Sequence, residues 1–473
     1  MPPADAAVSI SRTDTTAITS VPTRLRGWGG GAGVCARLVR PPGIDALRAA
    51  LAPLRSASGE APSAAGAIAR GMGRSYGDAA QLTGGLVLDM TSLHGIQLDR
   101  DQATVTAQAG VTIGELLRVL VPAGWMLPVV PGTQHVTVGG AIASDIHGKN
   151  HASAGTIGRH VRALGLLSAG GDVLELGPGT DRRLFEATVG GMGLTGVILW
   201  ARIGLRRVEG PLLAVDTDRV ERLDDALALL AAPGGPYRVA WLDLLGPRGG
   251  RAIVTRAEHI SGEAAHHARP GGATVVARTT VPERWPSGLL RASTARAFND
   301  LRFRRASLRR RGGVEAFGAH MFPLDSLDSW PRLYGRLGLV QYQFVVPSGH
   351  DQVLHAVIEQ LRRARVPCFL AVLKDFGAAS DAPLSFPLAG WTLALDLPRA
   401  AIGLDSVLDR CDELVAAVRG RVYLTKDSRL RPDALRAMYP RLQEWRAERD
   451  RVDPERRWRS DLAVRTRLVD GSQ

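Results

Sequence analysis

Apolar residues fall in short runs along most of this chain, separated by glycine, proline and charged positions. VCARLV, GLVLDM and TVTAQAG read as strands. IDALRAALAPLRSA and TIGELLRVLVPAG repeat apolar residues every three or four positions and read as helices. AIARGMGRSYGD reads as a strand running into a glycine-rich loop, and HVTVGGAIASDIHGKN as a loop-rich stretch. VRALGLLSAGGDVLELG reads as two strands around an Ala-Gly-Gly-Asp turn, and GLTGVILWARIGLRRV as a final strand pair. Short strands and helices mixed in this way predict an α+β domain over residues 21–208.

From about Glu209 the pattern changes. AVDTDRVERLDDALALLAA, YRVAWLDLLG and RAIVTRAEHI read as strand, helix and strand units. LVQYQFVVP, CFLAVLKDFG and GWTLALDLP read as further strands. A second domain on an antiparallel sheet is expected over 209–420. In the tail, ALRAMYPRLQEWRAERDRVDP reads as one amphipathic helix ending before a proline. MPPADAAVSISRTDTTAITS has neither a basic start nor an apolar core, so it is read as a disordered lead-in over 1–20 and not as a secretory signal. Val119 to Ser144 carries no formal charge, but Pro122, Pro128, Pro131 and the Gly139-Gly140 pair argue against a membrane span. A cytoplasmic or membrane-peripheral protein is expected.

Charge changes the picture. The net charge is +13, yet aromatics are only 5% and no nucleic-acid-binding motif is present, so no nucleic acid is expected. Arg302, Arg304, Arg305, Arg309, Arg310 and Arg311 form one local cluster. Such a cluster is either a solvated loop or an attractor for anionic lipid or a phosphorylated substrate. Cys35, Cys368 and Cys411 lie far apart, so three separate thiols and no metal centre are expected. Of the 59 cationic residues only Lys149, Lys374 and Lys426 are lysine. An ammonium is a compact charge with a tunable pKa, whereas guanidinium is a broad fork charged at all times. Each lysine is therefore a candidate for a tight polar site.

Three glycine loops follow one another: RGMGRSYGD, PGTQHVTVGGAIASDIHG and TVGGMGLTG. Glycine lets a backbone approach a ligand closely, and successive loop amides can hold a diphosphate. The first loop spaces its glycines G-x-G-x-x-x-G, unlike the Rossmann fingerprint. Gly29-Gly30-Gly31-Ala32-Gly33 reads as a turn, since VCARLV and Pro-Pro follow it and no long helix does.

These loops resemble the FAD-binding domain of the vanillyl-alcohol-oxidase superfamily. With LVQYQFVVP, APLSFPLAGW, YLTKDSR and MYPRLQEW, the chain closely resembles the decaprenylphosphoryl-β-D-ribose 2-oxidase family from about Arg24 to Leu468. The resemblance implies a two-domain FAD-binding PCMH-type α+β fold whose C-terminal segment, 421–473, returns to the FAD domain. It implies oxidation of the 2-hydroxyl of a polyprenylphosphoryl-ribofuranose to the 2-keto sugar. A short-chain NAD(P)H-dependent reductase would complete the epimerisation toward cell-wall arabinan. The alternative is an oxidase of a soluble alditol or aldonolactone.

The resemblance places FAD contacts at Ala69, Arg70, Gly71, Met72, Gly73, Arg74, Ser75, Tyr76, Gly77, Asp78 and Ala79, then at Gly132, Thr137, Val138, Gly139 and Gly140. It continues them at Ser144, Asp145, Ile146, His147, Ile198 and Tyr423. The substrate pocket falls on Tyr76, His147, Lys149, Gln343, Lys374, Ala394 and Lys426. Lys426 is the candidate for stabilising charge on the reduced flavin. His147, Tyr76 and Lys374 are candidates for orienting the hydroxyl or taking its proton. Relatives that tether the flavin place a histidine where this chain has Arg74, so the FAD is expected to be non-covalent. Three positions depart from the family: Ala394 stands for cysteine, Thr392 for asparagine and Met321 for tyrosine.

Overall fold

The computed structural model describes residues 20–56, 66–246, 250–262, 272–286 and 290–469. The disorder expected over 1–20 falls on residues that, apart from residue 20, lie outside this range. The fold is α+β and is organised by three sheets.

The first sheet holds β1 (Val21–Leu25), β2 (Val34–Val39), β3 (Ala67–Arg70) and β4 (Leu86–Asp89) in the order β1-β2-β4-β3. β2 and β3 both run parallel to β4. α1 (Ile44–Ser56) lies in the connection between β2 and β3 and sets Leu47, Leu51 and Leu54 against Leu86 and Leu88. The C-terminal segment extends this sheet: the Ala67 amide donates to Arg457 O (2.9 Å) and the Arg459 amide to Ala67 O (3.0 Å).

The second sheet holds β5 (Ile96–Asp99), β6 (Thr104–Gln108), β7 (Val161–Leu167), β8 (Val173–Leu176) and β9 (Val197–Gly204), ordered β5-β6-β9-β7-β8 and antiparallel throughout. α2 (Ile113–Leu120) starts at a reciprocal cap. The Glu115 amide donates to Thr112 Oγ1 (3.2 Å), and the Thr112 amide donates to Glu115 Oε2 (2.7 Å). Such a cap stabilises a helix by about 1 kcal/mol. The stretch expected to be loop-rich contains a helix, α3 (Val138–Ala143), capped by Thr137. Its six residues include Gly139 and Gly140, a stretch too short and too glycine-rich to read as a helix.

The third sheet has eight strands: β10 (Leu212–Val220), β11 (Tyr237–Asp243), β12 (Arg251–His259), β13 (Arg309–Ala316), β14 (Leu339–Pro347), β15 (Leu370–Phe376), β16 (Gly390–Pro398) and β17 (Arg421–Val422). Their order is β13-β10-β12-β11-β15-β16-β14-β17, and every neighbouring pair is antiparallel. α4 (Leu223–Ala231), α6 (Gln352–Arg363) and α7 (Leu404–Ala417) pack one face of it through Leu227, Val357 and Leu408. α5 (Ala292–Arg305) lies on the other face, where Phe303 meets Trp241 and Ile253. That other face also joins the second sheet, since Leu213, Val215 and Tyr237 share one core with Val105, Leu164 and Ile203.

The tail is not the single helix its pattern predicts. α8 (Pro432–Met438) stops at Tyr439, and α9 (Leu442–Val452) begins beyond Pro440. The proline ring excludes Tyr439 from helical backbone, and Tyr439 sits at φ −122°. A short last helix, α10 (Asp461–Arg465), follows. No helix among the described residues is long and apolar enough to cross a membrane.

Candidate active site

Strand alternation puts successive side chains on opposite faces, so residues opposite one another in register share a face. Gln343 stands opposite Ala394, and Ala394 opposite Val372. Thr392 stands opposite Lys374, and Asp396 opposite both Gln341 and Leu370. β14, β15 and β16 thus build one polar floor in the middle of the eight-stranded sheet. It lies on the face that carries α5, because Leu370 packs into the Trp241 and Phe303 cluster. Thr392 is rooted beneath the floor: its hydroxyl donates to Phe344 O (2.9 Å) and accepts from Gln343 Nε2 (3.2 Å).

The three lysines converge here. Lys426 lies in the turn after β17 and sets its Nζ 3.9 Å from the Tyr76 ring centroid. Lys374 projects from the floor, 5.9 Å from the Phe376 ring centroid. Lys149 donates to His320 O. None of the three makes an ion pair with a carboxylate among the described residues. Burial pushes Lys149 and Lys426 down to about 7 and Lys374 to about 8. The charge on Lys374 lowers the other two further. Asp396 and Glu315 pull the opposite way on Lys426 and Lys149 respectively without restoring either. All three are surrounded by protein yet keep part of their surface accessible. Groups that line an internal cleft have this property.

His147 packs edge-on to Phe376 with centroids 4.8 Å apart and lies 5.2 Å from Tyr423. Burial and the charges of Lys374, His151 and Lys426 push its pKa well below the usual imidazole value, so the ring is neutral. Gln343 Nε2 donates to its Nε2 (3.0 Å), which leaves the proton on Nδ1, buried and without a partner. Asp145 lies two residues before this histidine in the same loop. Its backbone is left-handed (φ +39°), a conformation Asp tolerates at modest cost. Its carboxylate is pinned by Ser385 Oγ (2.6 Å) and the Gly158 amide (3.0 Å).

The glycine loops differ in what they offer a ligand. In the first, the amides of Gly71, Met72, Gly73, Arg74 and Ser75 have no hydrogen-bond acceptor among the described residues. Gly73 takes φ +61°. Arg74 stacks over Trp28 at 3.7 Å, with its buried Nε unpartnered. Consecutive free amides beside an unengaged guanidinium fit a diphosphate such as that of FAD. In the second loop the amides are used internally. Val138 donates to Val111 O (2.8 Å), Gly139 to Ala109 O (2.9 Å) and Gly140 to Thr137 Oγ1 (3.3 Å). In the third, Gly190 donates to Ile142 O (2.9 Å) and Met192 to Ala143 O (2.9 Å). A Cβ on Gly191 would sit 2.2 Å from Ala187 O. The second loop thus spends the Val138, Gly139 and Gly140 amides, and the third the Gly190 and Met192 amides, on close packing, whereas the first keeps five consecutive amides without an acceptor among the described residues.

Several side chains assigned to FAD face inward. Arg70 donates to Ala80 O and Arg26 O (both 2.8 Å). Asp78 is held by Arg465 through two 2.8 Å bonds. Val138, Ile146 and Ile198 lie in the apolar core. These residues have backbone, not side chain, to offer a cofactor. Tyr423 donates to Ser144 O (2.9 Å), joining the segment after β17 to the second loop. Gly132 has nothing within 4 Å of an added Cβ, so its backbone borders open space. Met321, matched to a pocket tyrosine, is 1% exposed in the apolar core and does not line the floor.

Sequence reasoning missed Asp396 and Gln341. Gln341 Nε2 donates to Asp396 Oδ1 (2.6 Å), while Asp396 Oδ2 is buried and unpartnered. Burial raises Asp396 to about 6 against the pull of Gln341 and Lys426. The signal was present: stepping two residues from Gln343 and from Ala394 reaches both.

Comparison with known proteins agrees with this geometry. A family model for an FAD binding domain matches residues 38–177. The chain is similar to the decaprenylphosphoryl-beta-D-ribose oxidase of Mycolicibacterium smegmatis, 38% identical over 96% of this chain and 100% of that one. It is 40% identical to an uncharacterized Streptomyces coelicolor protein in the mprA 5' region, over 76% of this chain and 100% of the other. A Streptomyces alditol oxidase matches more narrowly, 29% identical over 38% of this chain and 46% of its own length.

Proposed function

The chain belongs to the decaprenylphosphoryl-β-D-ribose oxidase family of FAD-dependent oxidoreductases, and from that premise we propose that it oxidises the 2-hydroxyl of a polyprenylphosphoryl-ribofuranose to the 2-keto sugar. The observation that carries this reading is the cluster of three lysines without a carboxylate ion pair among the described residues: Lys374 on the floor, with Lys149 and Lys426 close enough to feel its charge. A site built for a neutral substrate gains nothing from three uncompensated buried cations, which are costly to hold. An anionic sugar phosphate and an electron-rich cofactor offset that cost.

The oxidation removes a hydride from the carbinol carbon and a proton from its hydroxyl. The 71–75 amides would hold FAD non-covalently, and FAD would supply the hydride acceptor. Lys426 provides the cation for the charge that builds up on reduction. Gln343 is fixed by Thr392 and His147, and orients a sugar hydroxyl. Lys374 projects from the floor and, lowered to about 8 by burial, holds a fraction of free amine near neutrality that can accept the hydroxyl proton. The lone pair on His147 Nε2 is occupied by Gln343, which suits His147 to bracing the pocket. Tyr76, pushed well above 10.0 by burial, stays protonated and serves as a donor. The product is a ketone that a short-chain NAD(P)H-dependent reductase would convert onward toward the arabinose donor of cell-wall arabinan. The enzyme would act at the membrane surface.

The purified protein should be yellow and should bleach anaerobically with polyprenylphosphoryl ribose, but not with xylitol or galactonolactone. Ala394 and Thr392 favour the second reading, a soluble alditol or lactone, and bleaching by those sugars alone would establish it. Acid precipitation should leave the flavin in the supernatant.

A further inference from the structure

α5 packs on the sheet by one side yet leaves two large apolar side chains in solvent. Ala295, Asn299 and Phe303 face the sheet, with Asn299 Nδ2 donating to Asp243 Oδ1 (2.9 Å). On the outer face Phe298 is 63% exposed and Leu301, three residues on, is 49% exposed. Leu308 follows after the helix at 69%. A helix that packs on one side needs only one apolar stripe, and adjoining exposed Phe and Leu side chains mark a contact surface.

Basic residues interleave with them. Arg304 pairs with Asp300 (2.9 Å) and Arg311 with Asp218 (2.8 Å). Arg302 lies over the Trp241 ring at 5.1 Å. Arg305, Arg309 and Arg310 make no ion pair with a carboxylate among the described residues. β13 is an edge strand, and edge arginines deter strand addition. That accounts for Arg309 and Arg310, but not for Phe298 and Leu301 on a helix. A second copy of this face would bring like charges together across a twofold contact.

We propose that the outer face of α5, with Leu308 and the free arginines, docks on an anionic lipid bilayer. Phe298 and Leu301 enter the boundary between head groups and acyl chains, and the guanidiniums meet lipid phosphates. The same face borders the active site. Trp241, beneath Arg302, stands opposite Val372 of the floor. Lys149 feels the charge of Arg302 and bonds His320 O, and the His320 ring contacts Glu315 of β13. Docking here would present the lysine pocket to a phosphate anchored in the membrane. That orientation rests on the polyprenylphosphate reading; the docking itself does not.

The test is co-sedimentation of the FAD-loaded protein with phosphatidylcholine vesicles, with and without phosphatidylglycerol. The protein should bind the anionic vesicles only, and lose binding as salt rises. Phe298→Ser with Leu301→Ser should weaken binding roughly tenfold or more. Arg305→Ala, Arg309→Ala and Arg310→Ala should each weaken it about fivefold at low salt. All these positions are exposed, so melting temperature and turnover of a short-chain, detergent-free substrate should match the parent. No binding by the parent, unchanged binding by the variants, or a dimer abolished by the serine pair without vesicle binding would each overturn the proposal. Loss of short-chain turnover in the variants would assign the face to substrate binding and overturn it too. Vesicle binding without bleaching by polyprenylphosphoryl ribose would defeat the substrate reading and leave the docking face intact.

Discussion

Two groups of buried cations sit close together and are treated in opposite ways. At the seam between the first glycine loop and the C-terminal segment, Arg465 is saturated. It makes two 2.8 Å bonds to Asp78, one to Asp427 and one to Leu430 O. Next to Asp427 stands Lys426, which has no carboxylate bonded to it and whose pKa falls to about 7. The arginine's charge is used up within the molecule and holds the fold. The lysine's charge is left over and is available to a ligand. The residue types match these roles, since a guanidinium fork suits two carboxylates and an ammonium suits a site that must titrate.

The largest effect should come from breaking the saturated side. Arg465→Met leaves Asp78 and Asp427 buried without their cation, and stability should fall by about 3–5 kcal/mol, read by thermal or denaturant unfolding. Lys426→Met should do the reverse, with melting temperature equal to or above that of the parent. Its turnover should fall on the order of 10²–10³-fold, the scale of losing one preorganised charge-stabilising group. If the lysine variant melts as low as the arginine variant, the contrast between the two cations is wrong.

A pH series on flavin-free protein sharpens the comparison. Folded Lys149, Lys374 and Lys426 lose protons at about 7 to 8, whereas unfolded lysine keeps its proton up to about 10.5. Between these values the unfolded state binds more protons, so the lysine contribution to stability rises with pH. The cost is complete below about 7 and is relieved toward 10.5. Relative to a triple Lys→Met variant, the parent should gain stability over that window; parallel curves would mean the ammoniums are not strained.

The smallest effect belongs to the loops. A Cβ on Gly77 would lie 1.8 Å from Asp427 O, inside the saturated seam, whereas Gly132 faces open space. Gly132→Ala should leave flavin-free stability within about 0.5 kcal/mol while weakening FAD binding severalfold. Unchanged FAD affinity would remove Gly132 from the cofactor's path.

Much of this arrangement was legible beforehand. The count of three lysines among 59 cationic residues marked each as a candidate for a tight polar site, and burial lowers the pKa of all three. The strands carrying Gln343, Lys374 and Ala394 were readable from their apolar runs. Asp396 and Gln341 sit on the alternating positions of their strands, but it is the cross-strand register, absent from the sequence, that brings them onto one floor. α3 was missed because six residues with two glycines give too short a periodic run, and the break at Tyr439 was hidden by an apolar pattern continuing across Pro440.

Local chemistry alone determined that this chain is rich in close backbone approaches, sparing with ammoniums, and built from short strands and helices. Tertiary structure decided which amides stay unsatisfied and which cations stay unpaired. Whether Gly139 or Met72 has a free N–H depends on where Ala109 O lies, and whether Arg465 or Lys426 is neutralised depends on which carboxylate the fold brings within reach. Those partners are distant in sequence, and hydrogen bonds and ion pairs act over a few ångströms, so only the packed chain settles them.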